Sequence, residues 1–319
     1  VYSDLNLKES TSPIASDLTN GADTRINYAG NKVNADDFTN VILMDNSNEG
    51  YTYSLTAQLQ KSFANGFNAM VAYTHGGSKS VNDGASSTAL SNWEYVQTVS
   101  NPNNPLLSNS IFNIKHRVIG NVGYSISYGK DNLYSTGINL FYAGNSGQPF
   151  TYLYNGDLNG DGAFNNDLLY VPNAANEIKL VDIMSNDKVS VTAAQQWEAL
   201  NAYIDADEYL SSRRGQYVER NGSFMPWQHQ FDLRITQDLG TMIKGTKNRL
   251  QLTFDIFNVG NLLNKDWGRN YYVTNQAMTL ISYDKGGYTF KAPTDNQPYS
   301  TSDLASRWQG QIGIRYIFN

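Results

Sequence analysis

Hydrophobic and polar side chains alternate with period two along seven stretches of this chain. In the C-terminal "RWQGQIGIRYIFN", Trp308, Ile312, Ile314, Tyr316 and Phe318 share one parity; Arg307, Gln309, Gln311 and Arg315 share the other. Such alternation predicts a strand with one apolar and one polar face. "NRLQLTFDIFN" sets Leu250, Leu252, Phe254 and Ile256 against Gln251, Thr253 and Asp255, and "QHQFDLRITQDL" sets Phe231, Leu233 and Ile235 against Asp232, Arg234, Thr236 and Asp238. "NIKHRVIGNVGYSISY" opposes Val118, Val122, Tyr124, Ile126 and Tyr128 to Lys115, Arg117, Asn121, Ser125 and Ser127. "LYSTGINLFY", "YTYSLTAQLQK" and "GFNAMVAYTH" repeat the pattern, with Tyr134, Ile138, Leu140 and Tyr142, then Tyr51, Tyr53, Leu55 and Leu59, then Phe67, Val71 and Tyr73 apolar. These strands are roughly 10–14 residues long, against about 5–6 for strands of soluble proteins. Crossing a tilted hydrocarbon band takes about 9–11. The lengths therefore predict an all-β fold of antiparallel transmembrane barrel strands, with Tyr51, Tyr128, Tyr142, Trp308 and Phe318 as interfacial girdle residues. The alternative is a large soluble β-sandwich, whose strands would be shorter and its loops less unequal.

The connections support the membrane reading. Residues 64–66, 129–132 and 240–247 are tight turns, whereas 79–112, 146–227 and 261–306 are long. Short turns on one side and long loops on the other are how outer-membrane barrels are built. Residues 1–46, rich in Ser, Asn and Asp, read as an extracellular loop segment ahead of barrel strands over 47–319. With seven strands the first and last run the same way, so closing them on each other would need a parallel pair. An open edge in lipid leaves backbone groups unpaired at several kcal/mol each. The expectation is the C-terminal part of a larger barrel.

Composition sharpens this picture. Among 319 residues there are 22 Tyr, 13 Phe and 5 Trp, only 16% are charged, and no run approaches the roughly 20 apolar residues of a transmembrane helix. No signal peptide is visible in residues 1–20. Cys is absent, which excludes disulfides and thiolate metal sites. A net charge of −6 without a basic run leaves no footprint for nucleic acid. There is no GxSxG, no P-loop and no identifiable catalytic carboxylate pair, so no enzymatic activity is expected. The three histidines, His75, His116 and His229, are far apart in sequence and match no zinc spacing; His116 shares the lipid-facing parity.

Chemistry concentrates in "YNGDLNGDGAFNNDLLYVP" (154–172). Asp157, Asn159, Asp161 and Gly162 fall at positions 1, 3, 5 and 6 of a calcium-binding loop, with the Ala163 carbonyl at position 7. Leu168 occupies position 12, where a bidentate Glu is expected, and Asp167 stands one residue early. The expectation is a structural Ca²⁺ clip; the alternative is a turn-rich solvated loop. One helix is predicted in "SVTAAQQWEALNAYIDADEYL", with a Thr192–Gln195 capping box and Trp197, Leu200 and Ile204 on one face. It reads as a loop helix packed at the barrel mouth, or alternatively a substrate lid. Arg213, Arg214, Glu219 and Arg220 suggest an ion-pair network bracing a loop, or else a grip on an anionic substrate. Trp93, Tyr95, Tyr152, Tyr154, Trp227, Tyr271 and Tyr272 are candidates for stacking on a sugar or peptide, against a role in loop packing. Arg117, Asp232, Arg234, Asp255 and Arg315, on polar parities, are candidate lumen-lining residues.

Several stretches together resemble a known family. "GQPFTYLYNGDLNGDGAFNNDLLYVP" (147–172), "YLSSRRGQYVERNGSFMPWQHQFDLRITQDL" (209–239), "FDIFNVGNLLNKDWG" (254–268) and the terminal "GIRYIF" resemble the end of a TonB-dependent outer-membrane transporter of the Oar-like branch of Bacteroidetes. Residues 50–80 fit a hairpin of the same barrel. The resemblance implies a 22-stranded barrel, a plug domain outside this chain, and active import driven by a TonB-type energy-coupling protein. Its implied partners are the rest of the barrel, outer-membrane lipids and a surface lipoprotein. Members of that family usually end on an aromatic residue, whereas here Phe318 is followed by Asn319. The rival readings are a passive porin and a surface adhesion or structural barrel.

Overall fold

A computed structural model describes residues 1–28, 32–34, 36–243, 246–284 and 286–318. All seven expected strands form: β1 Tyr51–Ser62, β2 Phe67–Ser80, β3 His116–Tyr128, β4 Tyr134–Asn145, β5 Gln228–Ile243, β6 Thr246–Phe257 and β7 Gln309–Ile317. They make an antiparallel meander in which every strand pairs with its sequence neighbours, and the short pair Ser108–Asn109 adds to the outer end of β2. β1 and β7 are the two edges of this sheet.

Register turns the alternation of each strand into two continuous faces. One row crosses six strands as Phe67, Tyr124, Ile138, Ile235, Phe254 and Ile312. One residue along, the opposite face carries Asn68, Gly123, Asn139, Arg234, Asp255 and Gln311. A slip of one residue would exchange the two rows, so the apolar pattern itself fixes the pairing. The turn at 64–66 closes tightly enough that Gly66, at φ 89°, could not carry a Cβ, which would sit 2.0 Å from the Ser125 carbonyl oxygen. At the turn expected over 240–247, β5 continues to Ile243 and β6 begins at Thr246, while 244–245 lie outside the described residues, as does Asn319.

Aromatic rings gather at both ends of the apolar face. Phe63 and Phe67, Tyr128 and Tyr134, and Tyr316 and Phe318 pair at the short-turn end. At the long-loop end a continuous series runs from Tyr53 through His75, His116, Trp227 and His229 to Tyr142 and Phe231, with ring centroids 4.8–6.1 Å apart. The histidines, distant in sequence, thus share one belt, because β2, β3 and β5 all present their outer ends there. Tyr73 and Tyr142 hydroxyls lie 2.7 and 2.8 Å from the Nδ1 atoms of His116 and His229.

The hydrophobic core lies not in the wall but in the long loops. Phe150, Tyr152, Leu153, Tyr154, Leu169, Leu200, Ile204, Leu210, Ile281 and Tyr288 are fully buried in one cluster. Within it a four-stranded sheet runs Ser223–Phe224, Pro149–Asn155, Ala277–Asp284 and Gly287–Phe290, and its two central strands are parallel. Those two strands come from different long loops, so the connections on the outer side fuse into one cap. The helix Ala193–Ala206 has the expected capping box, with Gln195 N donating to Thr192 Oγ1 and Thr192 N to Gln195 Oε1. It lays Leu200 and Ile204 into the core, with Trp197 packed at its edge. Residues 1–46 belong to this cap: Tyr2–Asp4 pairs with Ile42–Met44, and Ile14 and Leu18 enter the core.

Replacing Ile235, at the middle of β5 and of the apolar row, by Arg is expected to cost about 2–4 kcal/mol in a bilayer. Asn139→Lys, one residue off on the polar face, should cost less than about 1 kcal/mol; urea unfolding in liposomes compares them. Thr192→Ala should destabilise the first turn of the cap helix by about 1 kcal/mol, read as faster amide exchange there.

Candidate functional site

Two regions concentrate polar chemistry: the inner face of the wall and the turn at 157–167 inside the cap. On the wall, Arg234 Nε donates to Asp255 Oδ1 at 2.5 Å, across the β5–β6 pair. Asp232 accepts the backbone N–H of Asn258 at 2.8 Å and an amide N–H of Gln230 at 3.0 Å. Asp238, buried on the same face, takes Arg249 Nη1 at 2.8 Å and Gln251 Nε2 at 2.9 Å. Arg117 is exposed near the outer end of β3, and Arg315 is exposed opposite Gln251. Four of the five expected lumen residues thus line one polar stripe over β5–β7, and Asp238 and Arg249 extend it. The alternation marks Asp238, but only register shows that Arg249 reaches it.

The turn at 157–167 folds around its own acidic side chains. Asp157 accepts backbone N–H groups of Gly160 (2.7 Å), Asp161 (3.2 Å) and Gly162 (3.0 Å). Asn159 Oδ1 accepts Asp161 N at 3.0 Å, and Asp161 Oδ1 accepts Ala163 N at 2.7 Å. Gly162 makes the bend at φ 92°, a conformation that disfavours any side chain. Asn159, Asp161, Asn166 and Asp167 are fully buried. Burial pushes the carboxyl groups of Asp157 and Asp161 above their usual range, and Asp161 pushes Asp157 further. Among the described residues no three His, Cys, Asp or Glu side chains converge as a metal set.

Asp167 has a different task from the other acids. Its Oδ1 takes Arg25 Nη1 at 3.0 Å, and its Oδ2 takes the backbone N–H of Leu158 at 2.7 Å. Arg25 is itself fully buried: its Nε bonds Asp23, its Nη2 donates to the Leu168 carbonyl at 2.7 Å, and its guanidinium lies over the Tyr154 ring at 4.9 Å. Burial pushes the Asp167 carboxyl up to about 7, with Arg25 opposing and Asp161 reinforcing the shift. The pair fastens residues 1–46 to the second long loop. The local sequence around Arg25 carries no sign of burial, because its partners lie across the chain.

The candidate aromatics divide. Trp93 is buried against Leu7, Tyr28 and Ala163, and its Nε1 donates to Asn103 Oδ1 at 2.8 Å. Tyr152 and Tyr154 are buried in the main core, with the Tyr152 hydroxyl bonding Asp207 at 2.5 Å. Tyr271 packs edge-on to Tyr299 beside that core. These four hold the cap together; Trp227 belongs to the outer belt, and Tyr95 and Tyr272 are exposed. The expected Arg213–Arg220 network separates into three contacts. Arg213 pairs with Glu219 and Arg214 with Asp205, while Arg220 is buried and donates to the carbonyls of Ser80 and Val81.

The outer membrane beta barrel domain family matches residues 2–286, nearly nine-tenths of the chain, and the chain belongs to that family. The seventh wall strand lies beyond the matched stretch and still pairs in register with β6. No helix among the described residues is long and apolar enough to cross a membrane. Neither curated proteins nor solved structures gave a match.

Arg25→Met removes the partner of two buried carboxylates, for which about 3–5 kcal/mol is the usual loss. The expected outcome is release of residues 1–46 from the cap, seen as new protease cleavage in that segment on whole cells with the wall bands unchanged.

Proposed function

We propose that the chain forms part of the wall, the lumen lining and the outer cap of an active importer of the outer membrane. In this reading further strands and a plug domain complete the barrel, and a TonB-type protein in the periplasm drives transport. The observation that carries the reading is the packed cap. A passive porin needs an open mouth, whereas here the long segments merge over one end of the sheet around a main core and a smaller one of Leu7, Tyr28, Trp93 and Ala163. The two free edges add support. Seven strands leave β1 and β7 running the same way, so antiparallel closure requires more strands between them. The likeness of residues 147–172, 209–239 and 254–268 to Oar-like transporters supplies the coupling to TonB and a surface lipoprotein as partner. The polar stripe of Asp232, Arg234, Asp238, Arg249, Asp255 and Arg315 would line the path, with Tyr95 and Tyr272 free to meet a substrate from outside.

The test is electrical and genetic. The intact protein, purified from outer membranes and placed in planar bilayers, is expected to give no resting KCl conductance. Cells lacking the TonB-type protein should show the same nutrient-uptake defect as cells lacking this protein. A steady open-channel conductance, or uptake indifferent to TonB, would favour the porin.

A further inference from the structure

The buried acid Asp161 has no cationic side chain within ion-pair distance among the described residues, and its donors are all neutral. A buried charge is ordinarily paired or bound to a metal. Here the negative Asp157 lies beside it as well. Two side-chain amides stand where a cation would be expected: Asn159 Nδ2 and Asn166 Nδ2 both point at Asp161 Oδ2, at 3.1 and 3.0 Å. Asn166 is fully buried, its amide head lies against that carboxylate, and its Oδ1 meets no donor. An amide oxygen and nitrogen differ only by a flip about one bond. Turning Asn166 alone would bring its unpartnered oxygen to Asp161 Oδ2 at the 3.0 Å now held by its nitrogen, a spacing of neighbouring oxygens around a hard cation, while Asn159 Oδ1 keeps the Asp161 N–H.

We propose that Asp157, Asn159, Asp161 and Asn166, with the Ala163 carbonyl, form a Ca²⁺ site that locks the outer cap. An all-oxygen set of this size suits Ca²⁺, which takes six to eight oxygens and tolerates irregular geometry. Asn166 replaces Asp167 in the ligand set suggested by spacing, because Asp167 is committed to Arg25. The same turn holds two other segments. The Asn159 carbonyl accepts Tyr28 N at 2.6 Å, and the Asn166 carbonyl accepts Thr98 N at 3.0 Å. Ion binding therefore fixes the turn on which residues 1–46 and the first long loop both dock.

The intact protein, freed of metal and dialysed against Ca²⁺, should retain one equivalent per chain. On whole cells, EGTA should speed protease cleavage of residues 1–46 and 79–112 at least tenfold, with Ca²⁺ restoring protection. Asp161→Asn tests the charge directly. If the site holds Ca²⁺, this variant loses the bound ion and its cleavage in Ca²⁺ matches wild type in EGTA. If it holds none, neither wild type nor the variant changes its cleavage between Ca²⁺ and EGTA. Asn166→Asp guards against simple misfolding, since a third carboxylate should weaken the cap in EGTA and be rescued by Ca²⁺. Absence of retained Ca²⁺ together with EGTA-indifferent cleavage, or an Asn166→Asp variant that Ca²⁺ does not rescue, overturns the proposal.

Discussion

In hydrocarbon no water satisfies a backbone N–H or C=O, and this constraint organises everything else in the molecule. It demands long strands in unbroken ladders, and the seven wall strands meet it with continuous register from β1 to β7. It also makes the turns short on one side, because slack there would shift the ladders. Side chains then have only two directions to point. The rows through Ile235 and Arg234 are neighbours along one strand and face different solvents. The outer connections are released from the constraint, since they leave the membrane, and they grow into a cap with a core of its own.

The wall was legible in the sequence because its determinants are local. Parity is set within ten residues, and "RITQD" or "QLTFD" announces its two faces without reference to any partner. Strand ends were less visible: β2 runs on through the polar "GGSKS", where alternation has stopped but backbone pairing continues. The cap helix was equally legible, since a capping box and an apolar face both lie within fourteen residues.

The core of the cap was not legible, for a physical reason. "PFTYLY" is buried on both faces and shows no alternation, so period two cannot mark it as a strand. Its parallel partner, Ala277–Asp284, lies in another loop. For Tyr152 and Tyr154 the sequence therefore left stacking on a ligand and packing within the loops both open, and their burial puts them inside the cap. Arg25 sits in a polar segment whose composition suggests solvent, yet its charges are matched far away. At the acidic turn, spacing located Asp157, Asn159 and Asp161, while the roles of Asn166 and Asp167 emerged only from which side chains they meet.

The parallel pairing of Pro149–Asn155 with Ala277–Asp284 bears on the order of assembly. The first strand leaves β4 and the second follows β6, so the β5–β6 hairpin lies between them in the chain. Contacts of such long sequence separation form late, after the loops that must close have paid their entropy. The cap can consolidate only when that hairpin has joined the wall and brought the third loop alongside the second. A protected cap at the cell surface is thus a readout that this part of the wall has been built in order.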